Sequence, residues 1–168
     1  MPCRPRAQYL ADEGIEEASL KPLCGGYATA FVEHEAGRFV HAADGEESFV
    51  VGVRDDRLGP SGMVAWPLAD PRVLSVNKPD IFPVMGAWRL EQPGSFAFGP
   101  LPIFRSALDW LKARGFGLVI LDYERAVPVL RRATGSLLCE DAEQFQLLDE
   151  IMNRKFTQLV LGKQGADG

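Results

Sequence analysis

The sequence predicts an α+β fold, in which an N-terminal antiparallel β-meander is followed by a small αβαβα lobe with a partly parallel sheet. In the first half of the chain, strand-length apolar segments recur about every ten residues between glycine- and aspartate-rich turns. In the second half, apolar residues at helical spacing alternate with short apolar runs. Strands first and αβ units later are typical of the α+β class. We expect a single compact domain over 1–168, with sub-lobes at 27–98 and 102–161 and a flexible tail at 162–168.

The N-terminal half is expected to begin with short helical turns and to continue with strands. The apolar anchors of those turns are Tyr9, Leu10, Ile15 and Leu20. Strands are predicted at 28–34, 38–42, 48–54, 63–67 and 72–76. The first two flank Glu35-Ala36-Gly37 as a hairpin turn, and GPSG at 59–62 is interpreted as another turn. Residues 77–102 are rich in proline and glycine and are interpreted as a connection with one short strand or turn near Trp88.

The C-terminal half is predicted to be helix, strand, helix, strand, helix. The first helix has an apolar face and ends at Gly115; the face consists of Phe104, Ala107, Leu108 and Leu111. Buried strands at 116–121 and 137–139, joined by a helix that tolerates Pro128 only in its first turn, are expected to form a βαβ unit. Asp141 and Gln144 form a capping box at the start of the third helix. Residues 156–161 are expected to add a further strand.

Composition narrows the class of protein. The net charge of −5 and the pI near 5.1 argue against a binder of phosphate backbones, which carries a concentrated basic face. The cysteines Cys3, Cys24 and Cys139 form no CxxC pair and make a poor disulfide framework. No apolar run reaches the roughly 18 residues of a membrane span, and the first residues lack the apolar segment of a signal peptide. We expect a cytoplasmic protein with no membrane partner. The net charge does not favour a nucleic-acid partner, although Arg125, Arg131 and Arg132 lie close enough in sequence to form a local basic patch.

The candidate catalytic and metal-binding residues are the acids that follow the two predicted buried strands. Asp122 follows the first strand, and Glu140 and Asp141 follow the second. Ligands collect at the carboxyl ends of parallel strands, and carboxylate oxygens suit Mg²⁺. The opposing interpretation is structural, because acids at helix N-termini accept hydrogen bonds from free amides. Capping is the stronger of the two, so no cofactor is expected, and Mg²⁺ enters only under the alternative.

Other residues for chemistry carry less specific signals. His34 and His41 lie near the predicted hairpin and Cys24, but metal ligation needs three or four converging groups, so both are interpreted as sheet-surface histidines. Cys24 has no neighbour in the sequence that would lower its pKa, as a nucleophile requires. The sequence contains no GxSxG elbow and neither a GxxxxGK[ST] nor a GxGxxG phosphate loop.

The candidate partner-binding residues are the aromatics of the proline-rich segment. Phe82, Trp88, Phe96 and Phe98 lie where burial by a helix or sheet is not assured. An exposed aromatic cluster marks a protein-interaction surface. The alternative, favoured for large aromatics, is that they close the core between the two sub-lobes.

Three runs of sequence carry a resemblance to other proteins: GMVAWPL, PIFRSALDWLKARGFGLVILD and CEDAEQFQLL. Over about residues 62–155 the chain resembles a group of small uncharacterised proteins encoded in prophage and mobile regions of proteobacteria. The shared features are a tryptophan-bearing strand, an aromatic-rich helix ending in glycine, a buried strand and an acidic pair before the last helix. The resemblance implies no activity for any residue and, by association, an accessory or host-interaction role.

Three functions are consistent with these features. The favoured one is a non-enzymatic accessory or protein-interaction role, through a protein partner or self-association, because no catalytic constellation outweighs its structural interpretation. The second is a Mg²⁺-dependent phosphoryl-transfer or nuclease-like enzyme that uses Asp122, Glu140 and Asp141. The third is a small-molecule-binding domain with its pocket between the two sub-lobes.

Overall fold

The structure is a computed structural model. It describes residues 2–55, 59–78 and 80–164, with side chains in those ranges except at 55, 59–61 and 155–164. Within them the elements are α1 Arg6–Asp12, α2 Glu17–Leu20, β1 Cys24–Glu35, β2 Arg38–His41, β3 Glu46–Asp55, β4 Gly59–Pro67, β5 Ser75–Val76, β6 Val84–Met85, 3₁₀ helices Ala87–Glu91 and Pro93–Phe96, β7 Leu101–Phe104, α3 Ala107–Lys112, β8 Leu118–Ile120, α4 Tyr123–Leu130, β9 Leu137–Cys139 and α5 Ala142–Gln164. Helices and mixed sheets confirm the α+β class.

Strands β1 to β5, here called the barrel lobe, form a closed barrel in the order β1-β2-β5-β4-β3. This differs from the predicted meander, because β3 pairs with β1 and not with β2, and β2 runs parallel to β5. The lengths of the strands give the reason. β1 has 12 residues, so one of its edges pairs with the 10-residue β3 while its C-terminal part pairs with the 4-residue β2. One long strand thus serves two partners and closes the sheet.

The β1–β2 hairpin turns through two residues rather than the predicted three. Glu35 pairs with Arg38, which leaves Ala36 and Gly37 as the turn. Both have positive φ, 48° and 76°, as a type I′ turn requires, and the twist of that turn matches the twist of the strands. A three-residue turn would pair His34 with Arg38, whereas the observed partner of His34 is Phe39.

Other strand boundaries of the barrel lobe also differ from the prediction. β4 begins at Gly59, so the GPSG run belongs to the strand and is not a turn. It pairs with β3 across a register shift between Val53 and Arg54, which accommodates the glycines and proline of the run. The last strand shortens to Ser75–Val76, because the residues before it form a turn.

The interior of the barrel is filled mainly by small side chains. A buried cluster on one face of the sheet consists of Ala30, Val32, Phe39, Val50 and Ala65. The other face packs against helices. Helices do not fit inside a five-stranded barrel, so the first face is the interior.

The outer face of the barrel carries the core that joins it to the rest of the chain. Its strand residues are Phe49, Val51, Val53, Val64 and Trp66. The four predicted N-terminal anchors are all buried in this cluster. Residues of α3 pack into it as well, namely Ala107, Leu108, Trp110 and Leu111. The N-terminal turns and the C-terminal half therefore share one apolar surface of the barrel.

Strands β6 to β9 with α3, α4 and α5, here called the α/β lobe, contain a second sheet in the order β6-β8-β7-β9. β6 lies in this sheet although the sequence places it in the sub-lobe 27–98. The central strand β7 is not predicted: Phe104 is assigned to a helix and the residues before it to a connection, whereas Leu101–Phe104 is a strand. The predicted strands β8 and β9 pair in parallel with β7 and not with each other. The segment near Trp88 is a 3₁₀ helix.

Strand β7 is not predicted from the sequence because it contains Pro102. The Leu101 amide donates to the carbonyl of Ser136 on the β9 side, so the nitrogen of Pro102 faces the β8 side. Pairing with β8 begins only at Ile103. Pro102 therefore removes no ladder hydrogen bond, and the strand tolerates it at this position.

The first two helices of the α/β lobe begin at capping residues. Ser106 caps α3 by accepting a hydrogen bond from the Asp109 amide, and Gly115 follows the helix with φ +70°, as predicted. α4 begins earlier than expected, so Pro128 lies in its second turn and not in its first. Pro128 is exposed, and so is Glu124, whose carbonyl loses its amide partner there.

The last helix, α5, includes residues 156–161, which are expected to form a strand. Between 142 and 161 there is no glycine or proline to end the helix, so it continues to Gln164. Of the predicted tail, 162–164 belong to α5 and 165–168 lie outside the described residues. A helix with the length and apolar character to cross a bilayer does not occur in the described part of the chain.

Replacing Tyr9 with phenylalanine tests the join between α1 and the barrel. Trp66 Nε1 donates to Tyr9 Oη (3.0 Å) in the core, and Tyr9→Phe leaves that donor without its partner. The free energy of unfolding should fall by about 1–3 kcal/mol, measured by urea denaturation. Tyr27→Phe is the matched control, because Tyr27 bonds Glu17 at an exposed position and its loss should cost less than about 0.5 kcal/mol. Equal effects of the two changes would contradict this account.

Candidate functional site

The acids Asp122 and Asp141 act as helix caps at the carboxyl edge of the second sheet. The Asp122 carboxylate accepts a hydrogen bond from the Arg125 amide (3.0 Å) at the start of α4. The Asp141 carboxylate accepts one from the Gln144 amide (2.8 Å) at the start of α5. This backbone hydrogen bond, together with the Arg105 guanidinium, lowers the pKa of Asp141. Both carboxylates therefore have the geometry of N-caps.

Glu140 joins the two lobes through two arginines. One of its oxygens accepts a hydrogen bond from the Arg105 amide (2.8 Å) and the other from the Arg72 guanidinium (3.0 Å). The Arg105 guanidinium pairs with Asp141 (3.0 Å) and Glu143 (2.8 Å). The hydrogen bond to Glu143 is the largest cause that raises the pKa of Arg105. Arg72 lies between β4 and β5, so this network links the barrel lobe to the α/β lobe.

The three acids are not assembled as a metal centre. Strand β7 stands between β8 and β9, so the chain positions that follow those two strands are about 10 Å apart at a strand spacing of about 4.8 Å. Among the described residues, no group of three or more His, Cys, Asp and Glu side chains is arranged to hold a metal ion. The Mg²⁺-dependent alternative therefore has no supporting geometry in that part of the chain.

His34 lies inside the barrel rather than on the sheet surface. Its Nε2 is 2.9 Å from Ser48 Oγ, and its Nδ1 is 2.8 Å from Ser75 Oγ. Ser48 Oγ also lies 3.1 Å from the Glu46 carbonyl oxygen. A neutral imidazole with its proton on Nε2 satisfies these contacts, since Nε2–H then donates to Ser48, Ser48 donates to Glu46 and Nδ1 accepts from Ser75. Burial lowers the pKa of His34, and the nearby Glu46 carboxylate opposes that shift.

Cys24 is not an activated nucleophile. It is buried, and burial raises its pKa to about 12 although the Arg54 guanidinium opposes the shift. The thiol is therefore protonated at neutral pH. His34, the histidine that lies within the barrel, already uses both ring nitrogens on serines. A catalytic pair of Cys24 and His34 therefore has no geometric basis in the structure.

The four aromatic candidate residues of the proline-rich segment lie in three different environments. Phe98 is fully exposed. Phe82 and Phe96 are half-buried against the core of the α/β lobe, where Phe96 covers Gly135 so closely that a Cβ on this glycine would lie 2.4 Å from the phenyl ring. Trp88 lines a cavity between the two lobes. The four candidate residues therefore do not share one environment.

The cavity beside Trp88, here called the tryptophan cavity, has a volume of about 290 Å³. Its described lining residues are Pro22, Leu23, Val53, Arg54, Met85, Gly86, Trp88, Gln92 and Trp110. They come from the barrel lobe, from the α/β lobe and from the segment before β1. The volume is just below the range of about 300–1,000 Å³ that small-molecule sites occupy. A concavity thus exists between the lobes, where the third hypothesis needs one.

Irregular backbone shapes this cavity. β3 shifts register against β4 between Val53 and Arg54, and β1 shifts against β3 just after Cys24. Shifts of this kind bend strand ends and redirect side chains, and they are common beside functional sites. Gly86 has φ +76°, and a Cβ there would lie 2.5 Å from the Gly117 carbonyl oxygen. No larger residue fits at that point of the wall.

The two indole rings of the cavity are held in place. Trp110 Nε1 donates to the Gly117 carbonyl (3.0 Å). The Arg89 guanidinium lies over the Trp88 ring, 4.1 Å from its centroid, and its Nε donates to the Gly115 carbonyl. Burial lowers the pKa of Arg89. Each ring therefore has a second group that fixes its orientation, which preorganises the wall.

Arg54 gives the cavity its charge. It is the one charged side chain among the described lining residues. No other described residue accepts a hydrogen bond from its guanidinium or forms an ion pair with it. Its Nε lies 3.8 Å from the position of a Cβ on Gly25, so the side chain runs along the glycine-rich start of β1. The guanidinium is exposed and has its donors free for an anion.

Sequence analysis identifies Trp88 as a candidate but not Arg54, Gln92 or Trp110. One signal for Arg54 exists, since it is the first charged residue after the apolar run that begins at Phe49. A charge that directly follows a buried strand marks a strand end, where binding residues are common. Gln92 carries no such signal, because it lies in the proline- and glycine-rich connection.

A larger cavity, of about 430 Å³, lies near the carboxyl edge of the parallel strands and includes Arg72, Arg105 and Tyr123 in its lining. Both guanidinium groups already pair with carboxylates, with Glu140 and with Asp141 and Glu143, respectively. A cation that is neutralised by its own chain attracts an added anion weakly. The tryptophan cavity is the stronger candidate site.

A comparison with protein-family models, curated proteins and solved structures finds no match to this chain. The resemblance to prophage-encoded proteins stays a prediction. Function is therefore inferred from the geometry of the described residues.

Substitutions of Asp122 separate capping from metal binding. Asp122→Ala should lower the free energy of unfolding by about 1 kcal/mol, whereas Asp122→Asn should stay near the wild type, because asparagine caps a helix as well as aspartate. Melting temperatures with and without millimolar Mg²⁺ check this, and Mg²⁺ should leave all three proteins unchanged. A Mg²⁺-dependent rise in the wild type that Asp122→Asn abolishes would establish the metal role instead.

The His34 site predicts a pH dependence of stability. Because the folded protein lowers the pKa of His34 below its ordinary value near 6.5, the unfolded chain binds the proton more readily between those two pKa values. Stability is therefore full above the ordinary pKa and declines as pH falls through the folded one. Urea midpoints at about pH 7 and about pH 5 should show this decline, and His34→Gln should reduce it. His41→Gln is the control and should keep the wild-type decline.

Proposed function

We propose that this protein binds a small molecule in the tryptophan cavity without catalysing a reaction on it. The observation that carries the proposal is the make-up of the cavity wall. Two indole rings and apolar side chains surround one guanidinium that has no acid partner within the described part of the chain. Large apolar side chains beside a few polar groups are typical of small-molecule sites, and in this cavity polar atoms form the larger part of the accessible wall.

The absence of catalysis in this proposal follows from the neighbouring groups. The Cys24 thiol, next in sequence to the lining residue Leu23, is kept protonated by burial. The lining residues themselves include no His, Asp, Glu, Lys, Ser or Cys among those that the structure describes. A general base or nucleophile would have to come from one of these types in most enzymes. Binding alone is the function that the wall supports.

The position of the cavity supports the proposal further. Val53 and Arg54 belong to the barrel lobe, whereas Met85 and Trp110 belong to the α/β lobe. A ligand there contacts both lobes at once. Because such a site exists only in the folded protein, ligand binding should raise the melting temperature by mass action.

A protein-interaction role is the second candidate function, and Phe98 favours it. Phe98 is fully exposed, and Leu138 is exposed on β9, an edge strand of the second sheet. Singly exposed apolar residues are common on monomeric proteins, however, and do not by themselves mark an interface. The other three aromatics of the segment, Phe82, Trp88 and Phe96, are half-buried. Small-molecule binding in the tryptophan cavity therefore remains the favoured function.

A ligand screen with two matched variants tests the proposed function. A panel of one- and two-ring compounds, acidic, neutral and basic, is screened by melting temperature, and hits are titrated by tryptophan fluorescence and calorimetry. Trp88→Ala removes a wall of the cavity and should weaken each true hit by about tenfold or more, the value of a lost aromatic contact of about 1.5 kcal/mol. Phe98→Ala removes an exposed aromatic outside the cavity and should leave affinity unchanged.

Amide chemical shifts complete the test. Ligand-induced changes should centre on Gly86 and Gln92 and should be absent around Phe98. Circular dichroism confirms that Trp88→Ala remains folded before its affinity is compared. The proposal is wrong if no compound of the panel binds, or if the hits bind Trp88→Ala as tightly as they bind the wild type.

A further inference from the structure

We infer that the ligand of the tryptophan cavity is a small, flat monoanion, namely a carboxylate carried by an aromatic or conjugated ring system. This inference rests on the proposed function, because it names the ligand class of the same cavity. It draws on the charge of the wall, the shape of the wall and the volume enclosed.

The charge of the wall selects an anion. Arg54 is the one formal charge among the described lining residues, and no described residue neutralises it. A basic ligand would place like charges together in a partly desolvated site, which is unfavourable. The guanidinium presents a planar fork of N–H donors that matches the two oxygens of a carboxylate. Gln92, also in the wall, adds an amide that both donates and accepts.

The amount of charge favours a carboxylate over a phosphate monoester. A phosphate monoester carries about −1.5 to −2 charges at neutral pH, whereas Arg54 supplies a single positive charge. The excess negative charge would lie against Leu23, Val53 and Met85, where an unpaired charge is costly. A carboxylate leaves no excess charge.

The shape of the wall favours a flat ring. Trp88 is half-buried and offers a ring on which an aromatic ligand stacks or meets edge to face, whereas Trp110 is buried and contributes only a small exposed part of its ring. Met85 adds a polarisable side chain that packs well on rings. The volume of about 290 Å³ limits the ligand to one ring or one fused pair with a short substituent.

The acidic net charge of the chain does not oppose this selection. The chain carries −5 overall, but at physiological ionic strength charges more than about 8 Å apart are largely screened. The local guanidinium therefore decides which sign of ligand is held. The distant acids should slow the approach of an anion without removing its affinity.

Matched acid and amide pairs test the inference by calorimetry. The probes are benzoate with benzamide, and indole-3-carboxylate with indole-3-carboxamide. At least one acid should bind about tenfold or more tightly than its amide, because a hydrogen bond between charged groups contributes about 1.5–3 kcal/mol. Arg54→Gln should remove that preference, and Arg54→Lys, which keeps the charge but not the fork, should restore part of it. Arg38→Gln removes the same charge from another exposed arginine of the barrel lobe and should change nothing.

The possible outcomes distinguish failure of the inferred ligand class from failure of the proposed function. If acids and amides bind equally and Trp88→Ala weakens both, the cavity binds small molecules but does not select anions, so the inference fails and the proposed function stands. If none of the four probes binds at millimolar concentration while other rings do, the inference fails in the same way. If no compound of the wider panel binds either, both fail together.

Discussion

Strand β3 is buried on both of its faces, and the other parts of the molecule are arranged around that constraint. Val50 packs inside the barrel, whereas Phe49 and Val51 pack on its outer face. A strand of this kind must be apolar at successive positions rather than at alternate ones. Its inner face is covered only if the barrel closes, and its outer face only if helices pack on it. Closure through β1 and the packing of α1 and α3 therefore satisfy the same strand.

The tryptophan cavity lies where this double burial ends. Gly52 packs directly on the backbone of Gly25, where a Cβ would lie 3.3 Å away, and two residues later Arg54 is exposed. Leu23, from the segment before β1, and Trp88, from the 3₁₀ helix Ala87–Glu91, line the cavity together with the end of this strand. One wall of the cavity is therefore the end of β3, a strand that is paired along both edges. A site built on such an element has a preorganised geometry, which limits the entropy lost on binding.

How much of the fold the sequence predicts depends on the range of the interactions involved. The cap at Asp122 and the stop at Gly115 depend on neighbours within a few residues, and both are predicted. The strand that contains Pro102 is missed, because its tolerance of proline depends on where a partner strand begins pairing. Barrel closure is missed for a related reason, since the 12 residues of β1 show no sign in the sequence that they serve two partners. Register and closure are properties of pairs of segments.

The roles of the charged residues in the candidate site also depend on long-range contacts, which the sequence does not predict. Glu140 is a candidate in the sequence because it follows a buried strand, but the guanidinium of Arg72, 68 residues away, neutralises it, and the backbone amide of Arg105, 35 residues away, donates a hydrogen bond to it. Arg54 carries only the weak signal of its position at a strand end, because it is one of 18 Lys and Arg residues in the sequence. What distinguishes it is three-dimensional: it stands beside two indoles without an acid partner among the described residues. Because the Arg54 side chain is exposed, water screens part of its attraction for an anion, and the neighbouring apolar side chains must supply the rest of the affinity. Isolation of a charge, more than its presence, makes it a recognition element.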